Sequence, residues 1–511
     1  MKPMERPYYV TTPIYYISGS PHIGHAYTTI VADVLARTAR TFRPTFFLTG
    51  TDEHGQKVAN AAAAAGKTPQ EWCDELVPRW KELFAAYHVR YDDFIRTTET
   101  RHVEKVRRVF ERLRASGDVY LGKYEGWYCV NDETFWLESK LVDGRCPTCG
   151  REVQWISEDD WFFRLSAYRD RLREHFLAYP QWVQPRSVYN EMMSILNEGL
   201  DDLSISRTSF DWGVPIDGGG VIYVWLDALL NYITAIGWGD DDARFKTWWP
   251  AQTQLVGKEI ARFHTIIWPA ILWALGESAP DLVFAHGWIT VDGQKMGKSV
   301  GNAVDPFALA QRFGADSLRY FLLREAPFGS DFSYSEEKIA QRYNSDLAND
   351  LGNLLQRTLS MLQRYRDGIV PDPAGGSDAE FARRFAPLPM LVRERILDLR
   401  FREALEGVWE LVTALNRAID ERKPWTLHKE GRTPELDAVL YDLCEGLRWI
   451  AILLHPFMPE RMSEMWQQLG IQGEIDEDWS SSLRAWGGLS PIVQTSLAAP
   501  LFPRVELPAL A

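Results

Sequence analysis

The sequence predicts an α/β protein: a parallel sheet wound with helices, interrupted by an insertion and continued into an all-α bundle. Three observations predict it. Strand-like and helix-like segments alternate near the N-terminus; between about Tyr120 and Gly220 that alternation gives way to cysteines, turns and short aromatic runs; and beyond Lys298 apolar residues recur at helical spacing.

The elements follow in order. Pro7–Ile14 is β-branched and aromatic and ends before the breaker cluster Ser18-Gly-Ser-Pro21, so it reads as a strand. Ala26–Arg40 carries Ile30, Val34 and Leu35 at helical spacing, with Ala26 and Ala39 as small partners. A second strand, Thr45–Thr49, runs into the polar turn Gly50-Thr-Asp-Glu-His-Gly55, and an Ala-rich helix then stops near Gly66. In such sheets ligands sit beyond the carboxyl ends of strands, where both polar turns lie. After the insertion, Val221–Trp225, Gln254–Gly257 and Leu282–Ala285 read as further strands of the sheet. Asp367–Asp378 breaks or links two helices. Beyond it Phe401, Leu405, Val408, Val412, Leu415 and Ile419 form one apolar stripe, and Leu436, Leu440, Leu443, Leu447, Ile450 and Leu454 form another. Both stripes read as bundle core.

Composition narrows the function. The 511 residues suit three or four domains, and 46% hydrophobic with 25% charged residues is ordinary globular usage. Apolar runs such as Ile450–Leu454 fall far short of a membrane span. The N-terminal residues show no apolar signal region, and five cysteines are too few for a disulfide framework, so a cytoplasmic location is expected. A net charge of −14 argues against non-specific coating of nucleic acid and leaves room only for local contacts.

Two short strings carry phosphate chemistry. His22-Ile-Gly-His25 sits where the first strand turns into its helix, and a helix N-terminus offers free N–H groups to phosphates. Two imidazoles there add donors toward developing phosphoryl charge, and Gly24 allows a close approach of base or ribose to the backbone. Lys295-Met-Gly-Lys298-Ser299 follows a hairpin-like turn and supplies two ammonium groups on an exposed loop. Either string alone is weak; the pair, each after an α/β strand, is far more specific. Cys129-Val-Asn-Asp132 and Cys146-Pro-Thr-Cys149, thirteen residues apart, have the spacing of one tetrahedral metal site, with Asp132 in a place where a fourth cysteine is expected. Zn²⁺ held by Cys129, Asp132, Cys146 and Cys149 and a decayed, metal-free knuckle both fit that pattern.

Taken together, His22–His25 and Lys295–Ser299 resemble the two signatures of the class I aminoacyl-tRNA synthetases, although Gly297 stands where the family usually has Ser. The longer strings Thr11-Thr-Pro-Ile-Tyr-Tyr16, Phe47-Leu-Thr-Gly-Thr-Asp-Glu-His-Gly55, Tyr223-Val-Trp-Leu-Asp-Ala228 and Phe263-His-Thr-Ile-Ile-Trp-Pro269 resemble the methionyl-tRNA synthetase family from about residue 8 to residue 460. The resemblance implies a Rossmann-like parallel-sheet catalytic domain (1–118 and 222–290) with an inserted connective domain (119–221). It further implies a loop and stem-contact region (291–350) and an all-α anticodon-binding bundle (351–511).

It implies ligation of L-methionine to tRNA(Met), driven by ATP with Mg²⁺. His22, His25, Lys295 and Lys298 would be catalytic, and Gly24 and Glu259 would join His22, His25 and Lys298 at ATP, with Glu259 where Asp is usual. Methionine would lie among Ile14, Tyr16, Trp225, Ala228, Leu229, Tyr232, Ile260, Phe263, His264 and Trp268, with Asp52 at its ammonium group. By periodicity alone these aromatics are core residues; only the resemblance makes them a slot. Arg207 is a plausible anchor nearby. Asn353, Arg357 and Trp425 would meet the anticodon, and the short chain after the bundle suggests a monomer. Two rival readings are a catalytically inactive tRNA-binding paralogue and a class I synthetase for another apolar amino acid. The first is opposed by retention of both motifs; valine, isoleucine and leucine enzymes resemble one another in a much longer insertion.

Overall fold

The structure is a computed structural model that describes residues 6–132, 134–136, 138–291, 294–295, 304–373, 379–475, 479–483 and 485–506. Its centre is a seven-stranded sheet whose pairings are all parallel. Tyr15–Tyr16, Thr45–Asp52, Tyr8–Thr11, Thr253–Gly257, Val283–His286 and Val183–Gln184 lie side by side in that order, and Asp93–Arg96 pairs with the later half of Thr45–Asp52. Tyr8–Thr11 and Thr253–Gly257 are buried along their whole length, as strands covered on both faces must be. Their side chains alternate between two cores. Tyr8, Val10, Phe47 and Leu255 enter one, while Tyr9, Phe46, Leu48 and Val256 enter the other.

From Tyr8–Thr11 the chain passes through helix Ile23–Arg40 to Thr45–Asp52 on one side; from Thr253–Gly257 it passes to Val283–His286 on the other. The winding reverses between Tyr8–Thr11 and Thr253–Gly257. A doubly wound sheet opens its ligand crevice beyond the carboxyl ends of two such strands.

Three elements are placed differently from what local pattern suggests. Val221–Trp225 adds no strand to this sheet: Val221–Ile222 pairs with Ser206–Arg207, and helix Val224–Leu229 begins immediately after. A short apolar run bordered by glycines has no periodicity to separate strand from buried helix. The 119–221 span supplies strands to two sheets. Val119–Cys129, Thr134–Trp136, Gln154–Phe163 and Leu203–Ser204 build a separate antiparallel sheet, but Val183–Gln184 forms the edge of the parallel one. A two-residue strand leaves too little pattern to read.

The third concerns the bundle. Helices Phe401–Arg422 and Thr433–Leu454 carry the expected buried stripes, yet every residue from Val439 to Leu454 is buried. The C-terminal segment closes the side left open. The Glu445 carboxylate, itself fully buried, accepts backbone N–H bonds from Gly487, Gly488 and Leu489 at 2.9–3.1 Å, and Arg448 neutralises it at 2.7 Å. Among the described residues no helix is long and apolar enough to cross a membrane.

Candidate active site

A cavity of about 390 Å³ opens at the point where the winding reverses, within the size range of small-molecule sites. One end is lined by His22, Gly24, His25 and Glu259, the other by Ile14, Tyr16, Asp52, Trp225, Ala228, Leu229, Tyr232, Ile260 and His264. Residues far apart in sequence thus share one wall.

His22 caps helix Ile23–Arg40. Its Nδ1 accepts from the Gly24 N–H, and the His25 Nδ1 accepts from the His22 N–H, both at 3.1 Å. This is a capping box in which imidazoles take the places usually held by Ser or Thr and Glu. Each neutral ring must then carry its proton on Nε2, so the cap leaves each Nε2 as a donor. The two rings stack 3.7 Å apart, and Tyr15 and Trp80 back His25 at 5.1 and 4.7 Å. A Cβ on Gly24 would crowd the His22 ring, meeting its Nδ1 and Cε1 at 3.0 Å.

At the apolar end Trp225 and Phe263 stack in parallel, 3.7 Å apart and 8° from coplanar. His264 is buried, which pushes its imidazole down to about 4 and keeps it neutral. Its Nδ1 faces the Ile260 carbonyl at 2.9 Å, which can only accept, so Nδ1 carries the proton. Nε2 therefore accepts from the Tyr232 hydroxyl at 2.7 Å. Phe263 and Trp268 stand one layer back, Phe263 against Trp225 and the wholly buried Trp268 behind Tyr232 at 5.9 Å. A π-helical turn at Phe263–Ile267 widens the register, so the spacing that joins Ile260 to His264 does not carry on to Trp268.

Asp52, 5% exposed, reaches this end from the last residue of its strand. The next residue fixes the turn. Glu53 is fully buried and accepts from Arg96 at 2.7 and 2.9 Å, from Thr51 at 2.7 Å and from Thr98 at 2.6 Å. Glu259 accepts from the Trp288 indole at 2.9 Å, while Lys258 pairs with Asp331 at 2.7 Å beneath the same indole.

The second signature begins on a hairpin: Ile289–Val291 pairs with Gln294–Lys295, as its turn residues suggest. The Lys295 side chain and all of Lys298 lie outside the described residues. Elsewhere, the Cys129, Cys146 and Cys149 sulfurs and an Asp132 oxygen all lie within 4.8 Å of one another. Cys129 and Cys149 sulfurs are 3.5 Å apart, close to the roughly 3.8 Å that tetrahedral Zn–S bonds of about 2.3 Å require. In the bundle Asn353 is exposed, Arg357 pairs with Asp420 at 2.8 Å, and Trp425 is 45% exposed at the start of the next short helix. Arg207 is buried in the antiparallel region, with its guanidinium 4.4 Å from the Tyr223 ring.

The family described as tRNA synthetases class I (M) matches residues 8–155 and 152–359. A methionine–tRNA ligase of Caldanaerobacter subterraneus subsp. tengcongensis is 49% identical over 99% of this chain and 80% of its own length; one of Thermotoga maritima is 46% identical over 98% and 80%. The chain belongs to this family. Methionyl-tRNA synthetase of Mycobacterium tuberculosis in complex with methionyl-adenylate is 43% identical, with a TM-score of 0.93 over 98% of this chain and 100% of that one. The apo form of the Mycobacterium tuberculosis enzyme gives 0.87 at 39% identity, over 99% of this chain and 100% of that one.

Sequence reasoning missed several residues in or beside this cavity. His286 and Trp288 line the cavity, and His286 Nε2 lies 2.7 Å from the Thr28 hydroxyl. The signal was present, because both follow the carboxyl end of an expected sheet strand. Glu53 was passed over within the string that contains Asp52. Its role depends on Arg96 and Thr98, more than forty residues away, which no local pattern announces.

Proposed function

We propose that the chain is a methionine–tRNA ligase that joins L-methionine to tRNA(Met) through methionyl-adenylate. A methionine carboxylate oxygen attacks the α-phosphorus of Mg²⁺-bound ATP, the bond to the bridging oxygen breaks, and pyrophosphate leaves. The 3′-terminal ribose hydroxyl of the tRNA then attacks the adenylate carbonyl, and AMP leaves. The observation that carries this reading is the single cavity with capped imidazoles at one end and a closed aromatic slot holding a carboxylate at the other. No enzyme nucleophile is required; the chain aligns the reactants and offsets charge.

Asp52 pairs with the substrate ammonium group, and Trp225, Tyr232 and His264 enclose the thioether against an apolar wall. Because Tyr232 and His264 satisfy each other, that pair presents neither an orphaned donor nor a charge to the sulfur. His22 and His25 donate from Nε2 to the transferring phosphoryl group, Glu259 accepts from ribose hydroxyls, and Lys295 and Lys298 neutralise the departing pyrophosphate.

The domain division 1–118 and 222–290, 119–221, 291–350 and 351–511 belongs to the same proposal. So do a structural Zn²⁺ at Cys129, Asp132, Cys146 and Cys149, anticodon contact by Asn353, Arg357 and Trp425, a monomeric state and cytoplasmic residence. The donor set and its spacing support the zinc; the exposure of Trp425 and of Asn353 supports the anticodon surface. ATP–pyrophosphate exchange with each amino acid in turn tests the central reading. Exchange with methionine alone is expected; exchange with another amino acid, or with none, overturns it.

A further inference from the structure

Asp52, Glu53 and His54 leave one strand end in three directions, and only the first lines the cavity. The His54 Nδ1 lies 2.6 Å from one oxygen of Asp227, a fully buried carboxylate on helix Val224–Leu229. The other oxygen of Asp227 is 2.9 Å from the Nε2 of His102, whose Nδ1 is 2.8 Å from the Thr234 hydroxyl. His102 is also fully buried, and Trp212 meets His54 in a T-shaped contact with ring centroids 5.3 Å apart while its indole donates to the Glu53 carbonyl. None of these four polar side chains lines the cavity.

Asp227 has Trp225 two residues before it and Ala228 immediately after it, and both of those face the cavity. Its helix has six residues and no side-chain cap, so it cannot hold its own position; tertiary tethers must. Burial alone would push the Asp227 carboxyl up, but His54 and His102 hold it at about 2, so the tether is a charge-assisted one.

We propose that His54–Asp227–His102 is a buried strap that sets the width of the amino-acid slot, tying the turn that carries Asp52 to the helix that carries Trp225. These are positioning residues for methionine. The inference rests on the methionine reading above.

Wild-type exchange with methionine checks that reading first, so a failure there is separate from a failure of the strap. His54→Ala is then expected to raise the KM for methionine about tenfold while leaving the KM for ATP within about twofold and kcat within about threefold. His54→Asn, whose amide nitrogen takes the place of Nδ1, should restore the methionine KM to within about threefold of wild type. His54→Gln, whose nitrogen takes the place of Nε2, should behave as the alanine variant, and it replaces that variant if His54→Ala does not fold. An unchanged methionine KM, equal losses for ATP and methionine, or an asparagine variant no better than glutamine would each overturn the strap.

Discussion

Arg319 offers a direct test of how helix Ile23–Arg40 is held. It is wholly buried on helix Ala315–Arg324 and donates from Nε to the Phe457 carbonyl at 2.8 Å, from Nη1 to the Tyr87 carbonyl at 2.9 Å, and from Nη2 to the Pro456 carbonyl and the Asp33 carboxylate, both at 2.7 Å. Asp33 lies on the helix capped by His22, also accepts from Arg37 at 2.8 Å and from the Arg90 N–H at 2.8 Å, and is wholly buried. One guanidinium thus joins that helix, the Tyr87–Arg90 turn and the Pro456–Phe457 turn of the bundle. Arg319→Leu keeps the volume but leaves a buried carboxylate with part of its compensation and strands three carbonyls. Removing one partner of such a pair costs about 3–5 kcal/mol, and each carbonyl left dry costs about 1–3 kcal/mol before water or relaxation recovers some of it. The expected loss is therefore at least about 4 kcal/mol, read as a fall in the urea midpoint by tryptophan fluorescence. In a double-mutant cycle with Asp33→Asn, a coupling of at least about 2 kcal/mol is expected. pH gives an independent check. Burial pushes Asp33 up, but Arg37 and Arg319 outweigh it and hold the carboxyl below its ordinary 3.8. Its contribution is then complete above 3.8 and is lost as pH falls through the lower folded value. In Arg319→Leu the folded value should rise toward 3.8, so the acid-dependent loss should be smaller and end at higher pH. A destabilisation under about 1 kcal/mol, or additive single and double variants, would refute the reasoning.

Four further outcomes are expected. Gly24→Ala should leave the helix as stable or more so, since Ala is favoured over Gly by about 1 kcal/mol inside helices; crowding of the His22 ring at 3.0 Å should nevertheless cut methionine-dependent exchange at least about tenfold. Lys298→Ala should lower adenylate formation at least about a hundredfold with methionine binding nearly intact, and a loss under about tenfold would remove that loop from the mechanism. His264, pushed down to about 4 by burial, should stay neutral by nitrogen-15 NMR down to about pH 5; its folded value lies below the ordinary 6.5, so its contribution to stability is full above 6.5 and is lost as pH falls toward 4. Proton uptake near 6.5 would contradict the Tyr232-to-His264 bond. Elemental analysis after purification without chelator should find about one Zn²⁺ per chain; under about 0.2 would reject the knuckle as a metal site.

What the sequence could and could not disclose follows from the range of each interaction. The alternation of the first fifty residues marks a parallel sheet, because strands buried on both faces must be apolar and their crossover helices must carry a stripe. The imidazole pair at the cavity is legible for a related reason: a helix N-terminus is a local feature, and His22 and His25 are three residues apart. The amino-acid slot is legible only in part. Trp225, Ala228, Leu229 and Tyr232 keep helical spacing and do share a wall, whereas the π turn at Phe263–Ile267 breaks the register that linked Ile260, His264 and Trp268. Least legible are the buried polar groups. Glu53, Asp227, Asp33 and Glu445 look like solvated carboxylates in sequence, yet all four side chains are wholly buried and meet partners that lie mostly far away in sequence. A charge is removed from water only where its partners are already in place, and those partners come from several distant elements at once. Such carboxylates depend on the completed fold more than any other groups in this protein. Glu53 and Asp227 also adjoin the cavity-lining residues Asp52 and Ala228, so the cavity's geometry rests in part on groups that local pattern reveals least.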